Sequence, residues 1–223
     1  MADRTFQILT PAASNDLLTL QELKMMLGMS PTDTSQDPAL SFLISVFSEE
    51  CARRCNHYGK AGMPPTFAKI EVQETWREVM NGRVFCLQWP VNAVDIVSVT
   101  DGGMVLTTDQ FELEEHSGKI SNINTGATMS SPWVTPVVAH YSGGYVLPQE
   151  APLPLKHAVV MLVRQERILM MQAQYAGIRS LSHKEARVMF FDPNAVLLRA
   201  LGTKSPVVQA VDNLLDKYRR LEV

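Results

Sequence analysis

The residues that invite a chemical reading lie at Cys51, Cys55 and His57. Two cysteines four apart sit one turn apart on a helix, and with a nearby histidine they suggest half of a zinc site. Such a site needs two more soft donors, and no second Cys/His pair stands at zinc-site spacing. Both cysteines also fall on an apolar stripe, where a thiol behaves as a small buried hydrophobe. Glu112, Glu114, Glu115 and His116 could do acid–base work, but their place on a strand and turn reads more simply as a solvated edge. Gly118-Lys119 has no glycine at the P-loop position and cannot cradle phosphates. Ser142 in YSGGY lacks the first glycine of a nucleophile elbow. His140 and His157 are isolated, and Trp76, Trp89 and Trp133 lack the surrounding Lys and Arg that single-strand binding wants. The expectation is no catalytic residue, no metal and no cofactor.

The element that holds the cysteines is the helix predicted over Asp37–Tyr58. Leu40, Leu43, Ile44, Phe47, Cys51, Cys55 and Tyr58 recur at steps of three and four. Ser41, Ser45, Ser48, Glu49, Arg53 and Asn56 fall mostly on the other face. Asp37 suits the N-cap, Pro38 the first turn, and Gly59 the stop. Leu40, Leu43, Ile44, Phe47, Cys51 and Cys55 form the expected structural core.

Around that helix the chain reads as α+β. Met1–Asp16 shows no sustained period and is expected as a loose arm. Thr19 caps a short helix with Glu22 as capping-box partner, closed by Gly28. From Ala68 the texture turns to strands. Ile70, Val72, Glu74, Trp76 and Glu78 alternate with polar residues, and Asn81-Gly82-Arg83 predicts a hairpin returning through VFCLQW. VDIVSVT ends at the turn Asp101-Gly102-Gly103. Phe111–Glu115 and Lys119–Ile123 form a hairpin about Ser117-Gly118, and VTPVVAHY closes at Gly143 and Gly144, a structural turn. This is one small antiparallel sheet of five or six strands, lying in sequence between two long helices. The second helix, over 153–177, carries Ala158, Met161, Leu162, Ile168, Leu169 and Met170 and is expected to be buried on two sides. Ile178–Phe191 is ambiguous, and Asp192-Pro193 can open a short helix to Leu201.

Ser205 and Pro206 start a last helix with a narrow stripe of Val207, Val211, Leu214, Tyr218 and Leu221. Lys217, Arg219 and Arg220 gather in its last turns, where cations suit the helix dipole. Such a stripe can dock on its own subunit or reach a partner, and both readings stand at this point.

Composition bounds the function. The 223 residues are 46% hydrophobic and 19% charged, which indicates a folded domain. A net charge of −3 argues against a surface that grips duplex DNA by neutralising phosphates. No apolar run reaches membrane-span length, and the N-terminus has no signal-peptide pattern, so a cytoplasmic origin is expected.

LTLQELKMMLGM, the helix ending CARRCNHY, the strand in WPVNAVDIVSVT and the run VVAHYSGGYVLPQEAPLPLKHAVVMLV, in that order, resemble the head–tail connector family of long-tailed phages. The resemblance covers roughly Leu18–Gln174. It implies an adaptor, or head-completion, subunit of the virion neck, assembled in the host cytoplasm. A ring of twelve copies beneath the portal would extend the DNA channel, let DNA pass without sequence-specific binding, and present a surface to the stopper or tail. It would have no membrane partner. The domain plan is then an arm over 1–17, a connector-like domain over 18–177, and an extension over 178–223. Val207, Val211, Leu214, Lys217, Tyr218, Arg219, Arg220 and Leu221 in that extension would dock on the portal. Lys60–Phe67 and Gly102–Asp109 become candidate lumen or rim loops. A stopper or tail-terminator ring is the near alternative, and a small enzyme or nucleic-acid-binding regulator the remote one.

Overall fold

The computed structural model describes residues 4–57, 64–79, 84–123, 132–174, 180–183, 186–189 and 205–220. The chain is α+β. It divides into two compact units, one of Met1–Asp16, Asn56–Ala151 and Arg220–Val223, the other of Leu17–Cys55 and Pro152–Arg219.

The helical unit opens with α1 (Leu20–Leu27). Thr19 and Glu22 form the expected reciprocal capping box, and Gly28 closes the helix in the left-handed region at φ 70°. Next comes α2 (Asp37–Arg54), whose N-cap is Gln36 rather than Asp37. The Asp37 carboxylate instead pairs at 2.5 Å with Lys24, a lysine 4% exposed that also donates to the Asp33 carbonyl at 2.7 Å. That pair ties α1, the connecting loop and α2 together. Leu40, Leu43, Ile44, Cys51 and Cys55 are buried as expected. Phe47 is only half-buried, whereas Ser48 is buried because its hydroxyl accepts the Leu17 amide at 3.0 Å. The helix stops at Arg54, the chain turns through Asn56 at φ 58°, and Tyr58 and Gly59 lie outside the described residues.

The long helix α3 (Leu153–Gln174) packs on α2. Its first half is buried through Leu155, Ala158, Val159, Leu162 and Val163. Its second half is not: Ile168, Met170 and Met171 are each half or more exposed, so the expectation of burial on two sides fails there. Beyond it, β9 (Ser180–His183) and β10 (Ala186–Met189) pair antiparallel in a stretch whose sequence is ambiguous. The helix expected after Asp192 lies outside the described residues. Ser205 caps α4 (Pro206–Leu215) by accepting the Val208 amide, and a 3₁₀ turn, Asp216–Tyr218, follows.

The sheet unit departs from the sequence reading in two ways. First, the presumed loose arm contains β1 (Arg4–Thr10), a seven-residue edge strand paired antiparallel with β2 (Ile70–Trp76). Second, the strands form two sheets. The five-stranded sheet has the order β1-β2-β8-β4-β5, with β4 Ile96–Asp101, β5 Met104–Leu106 and β8 Val137–Gly143. The three-stranded sheet has the order β3-β7-β6, with β3 Val84–Phe85, β6 Phe111–Glu114 and β7 Lys119–Asn122.

The β6–β7 hairpin forms about Ser117-Gly118 as expected, whereas the turn at Gly102-Gly103 leads into β5, so part of Gly102–Asp109, expected as a loop, is a strand paired with β4. The hairpin predicted across Asn81–Arg83 does not pair its strands. Its turn lies outside the described residues, β2 takes β1 and β8 as neighbours, and β3 goes to β7. Val72, Trp76, Val84, Cys86, Val99, Ile120, Val137, Ala139 and Tyr141 from both sheets share one buried cluster.

Candidate functional site

Among the described residues of the sheet core, one carboxylate is completely buried. Alternation along β2 turns Ile70, Val72, Glu74 and Trp76 inward, and Glu74 is completely buried. Its carboxylate accepts Arg4 Nε at 3.1 Å and the Leu87 amide at 2.8 Å, with further bonds from Arg4 Nη2 and the Tyr141 hydroxyl. Tyr141 Oη in turn accepts the Gln88 amide at 3.1 Å. Burial, then the adjacent Glu74 charge, holds the phenol well above its ordinary range. A carboxylate with four donors has no lone pair left for proton transfer, so this cluster is a fastening rather than a general base.

Both ends of the sheet unit meet this fastening. The Arg4 guanidinium donates to the Phe85 carbonyl at 2.6 Å and lies 5.0 Å from the Trp76 ring centroid. Arg220 donates to the carbonyls of Cys86 and Ser117 and lies 6.0 Å from the Trp89 centroid, while its own carbonyl accepts Asn56 Nδ2 at 3.0 Å. Sequence reading assigned Glu74 only to an alternation and missed Arg4. The available signal was an acid at an inward-facing parity, which demands a cation in the fold.

The other singled-out residues have structural duties. Burial pushes the thiols of Cys51 and Cys55 up to about 12, and the Cys55 thiol donates to the Leu215 carbonyl at 3.6 Å. Cys86 is also pushed up by burial, and all three thiols are free. None offers a thiolate at neutral pH. His57 is 4% exposed and packs on Phe67 with ring centroids 4.5 Å apart, neither ring nitrogen having a partner among the described residues. Burial and then the Arg220 charge lower its pKa to about 3, so it stays neutral.

Glu112 and Glu114 are exposed, whereas Glu115 accepts the Ala93 amide at 2.9 Å and, through its carbonyl, the Trp89 indole at 3.1 Å. Trp76 and Trp133 are buried and present no stacking face. His140 shares a 2.8 Å hydrogen bond with Glu71 on the outer face of β2, and His157 is exposed. Among the described residues no three His, Cys, Asp or Glu are grouped to hold a metal, and no helix is long and apolar enough to cross a membrane.

Gly143 and Gly144 close β8 where two backbones come together. A Cβ on Gly144 would sit 2.6 Å from the Ala68 carbonyl carbon, at φ 107°, and one on Gly143 2.9 Å from that of Gln88. The two glycines let the chain pass Ala68 and Gln88 at that distance.

The terminal helix packs within its own unit. Val211, Leu215 and Tyr218 are buried, with Val207 and Leu214 half-buried, so the buried stripe runs through Leu215 rather than Leu214. The helix packs on α3 and α2, with Asp212 paired to Arg54 at 3.1 Å. Lys217 and Arg219 are exposed, Arg220 is committed to Cys86 and Ser117, and Leu221 lies outside the described residues.

A surface groove of about 320 Å³ completes the inventory. Val46, Phe47 and Leu162 line it, with Glu49, Glu50, Arg53 and Arg54 around them. Glu50 pairs with both Arg53 and Arg54, so much of the charge there is internally compensated.

No protein-family model matches the chain, and no curated protein does. Two solved structures are similar over almost its whole length. One is a chain in the virion of a native gene transfer agent particle, 14% identical, covering 98% of this chain and 96% of that one at a TM-score of 0.47. The other is a chain in the neck of a native gene transfer agent particle computed with C12 symmetry, 15% identical, covering 98% of this chain and 97% of that one at a TM-score of 0.51. In fold, this chain is similar to that neck protein from end to end.

Proposed function

We propose that the protein is a structural subunit of a phage-like neck, a connector of the adaptor type that works as a twelve-copy ring in the virion. The observation that carries this is the end-to-end fold likeness to a chain of a C12-symmetric neck. In this reading the ring sits beneath the portal, continues the DNA channel and offers the stopper or tail its docking face. The mild net charge of −3 suits a lumen through which DNA slides without adhering. The ring requires a heterologous contact, in which one patch meets a different patch on the next copy.

The test is to measure particle mass by light scattering, and shape by electron microscopy, for the purified protein alone and mixed with its portal. Rings of twelve, alone or on portal, are the expected result. Single chains under both conditions would overturn the proposal. A ring that binds the tail end but not the portal would reassign the protein as a stopper or tail terminator.

A further inference from the structure

A heterologous ring needs two unlike surfaces on each chain, and two stand out. In the sheet unit, exposed apolar side chains crowd the β4–β5 hairpin tip. Met104 is 69% exposed, Val105 65% and the adjacent Val134 62%. The tip is held firm. The Asp101 carboxylate accepts the Val134 amide at 2.6 Å and Asn122 Nδ2 at 2.9 Å, and the Gly102 amide donates to the Pro136 carbonyl at 3.2 Å. Residues Gly102–Leu106 carry no charge, and the nearest carboxylate is already satisfied. A rigid, uncharged apolar knob loses little entropy on docking.

In the helical unit, α2 turns Phe42, 67% exposed, and Val46, 40% exposed, outward one turn apart. They lead to the groove floored by Val46, Phe47 and Leu162. The rim sets Glu49 and Glu50 against Arg53 and Arg54, with Glu50 paired to both arginines, so its formal charges balance. What such a groove accepts is an uncharged apolar projection, and the chain itself supplies one.

We propose that the β4–β5 tip of one copy seats in the α2–α3 groove of the next copy, an assignment that rests on the ring reading above. The match is one of charge and shape: a neutral apolar knob for a neutral-rimmed apolar groove. It also explains why Phe47 and Val46 stay partly open on a helix whose neighbouring Leu43 and Ile44 are buried.

The test uses two full-length variants and one control. The tip variant is Met104→Asp/Val105→Asp, and the groove variant is Phe42→Asp/Val46→Asp. The control is Val94→Asp, at a valine 92% exposed elsewhere in the sheet unit. Val46 is 40% exposed and the other changed side chains more than 60%, and circular dichroism melts should confirm that each variant folds. Wild type and control are expected to assemble, and each double variant alone to remain a single chain of 24.8 kDa. Mixed one to one, the variants keep one intact tip and one intact groove between them and should give a species of twice that mass. Assembly of either folded variant alone, or no two-chain species on mixing, overturns the tip-in-groove contact. If wild type assembles neither alone nor with its portal, the ring reading fails instead.

Discussion

Arg4 and Arg220 donate hydrogen bonds to the carbonyls of adjacent residues, Phe85 and Cys86. Two guanidiniums from opposite ends of the sequence thus fasten the end of β3, with the buried Glu74 beside it. Removing Arg4 should strand an uncompensated carboxylate in the core. We expect Arg4→Ala to lose roughly 3–5 kcal/mol in urea denaturation. Arg4→Met with Glu74→Gln, which removes both charges, should recover most of that. A loss below 1 kcal/mol for the single variant would mean the pair is not buried in solution.

His57 sets an acid limit. Its folded pKa, about 3, lies below its ordinary value of 6.5, so the unfolded chain binds a proton that the folded one refuses. Its share of stability is therefore complete above about pH 6.5 and is lost as pH falls toward 3. Between pH 7 and pH 4 the loss should approach roughly 3 kcal/mol. His57→Phe should flatten that part of the profile, as read from denaturation midpoints at the two pH values. An unchanged slope would assign the acid sensitivity to other groups.

Leu43 and Phe47 lie one turn apart but are unequally buried. Leu43→Ala should cost roughly 2–5 kcal/mol by leaving a cavity. Phe47→Ala should cost clearly less in chemical denaturation. Equal losses would move Phe47 into the core.

Gly144 and Gly28 both have positive φ, but only Gly144 has backbone against it. Gly28→Ala, facing open space, should lower stability by about 1 kcal/mol. Gly144→Ala should cost roughly 3 kcal/mol or more, since strain and contact add. Thermal melts that rank the two the other way would show that the Ala68 strand can retreat.

Val211 and Leu215 are fully buried. A chain cut after Lys204 should therefore lose its cooperative unfolding transition by circular dichroism. A truncated chain as stable as the whole would detach the terminal helix from the core and return it to the list of docking elements.

Much of this architecture could be read from local pattern. The capping box at Thr19, the stripe of α2, the turn at Gly102 and the hairpin at Gly118 each depend on residues within a turn or two of one another. What local pattern could not supply was partnership. Phe6 and Ile8 do alternate, but the ladder that makes them a strand lies on Thr75–Glu71, about seventy residues on. The Asn81-Gly82 turn signals a reversal, yet β2 finds seven-residue partners in β1 and β8 while Val84–Phe85 offers two residues. Ser48 looks solvent-facing until the Leu17 amide arrives. The surfaces were less legible still, because an exposed Phe42 or Met104 has the same spacing as a buried one.

The fastening around Glu74 also orders events during synthesis. A nascent chain leaves the ribosome with Arg4 first, and its carboxylate partner follows 70 residues later. Arg220 comes 134 residues after Cys86, whose carbonyl it binds. Contacts that distant form slowly, and the sheet unit cannot be complete until Arg220 has emerged. Chains released before Arg220 would hold every strand of the two sheets but leave the Cys86 and Ser117 carbonyls without that donor.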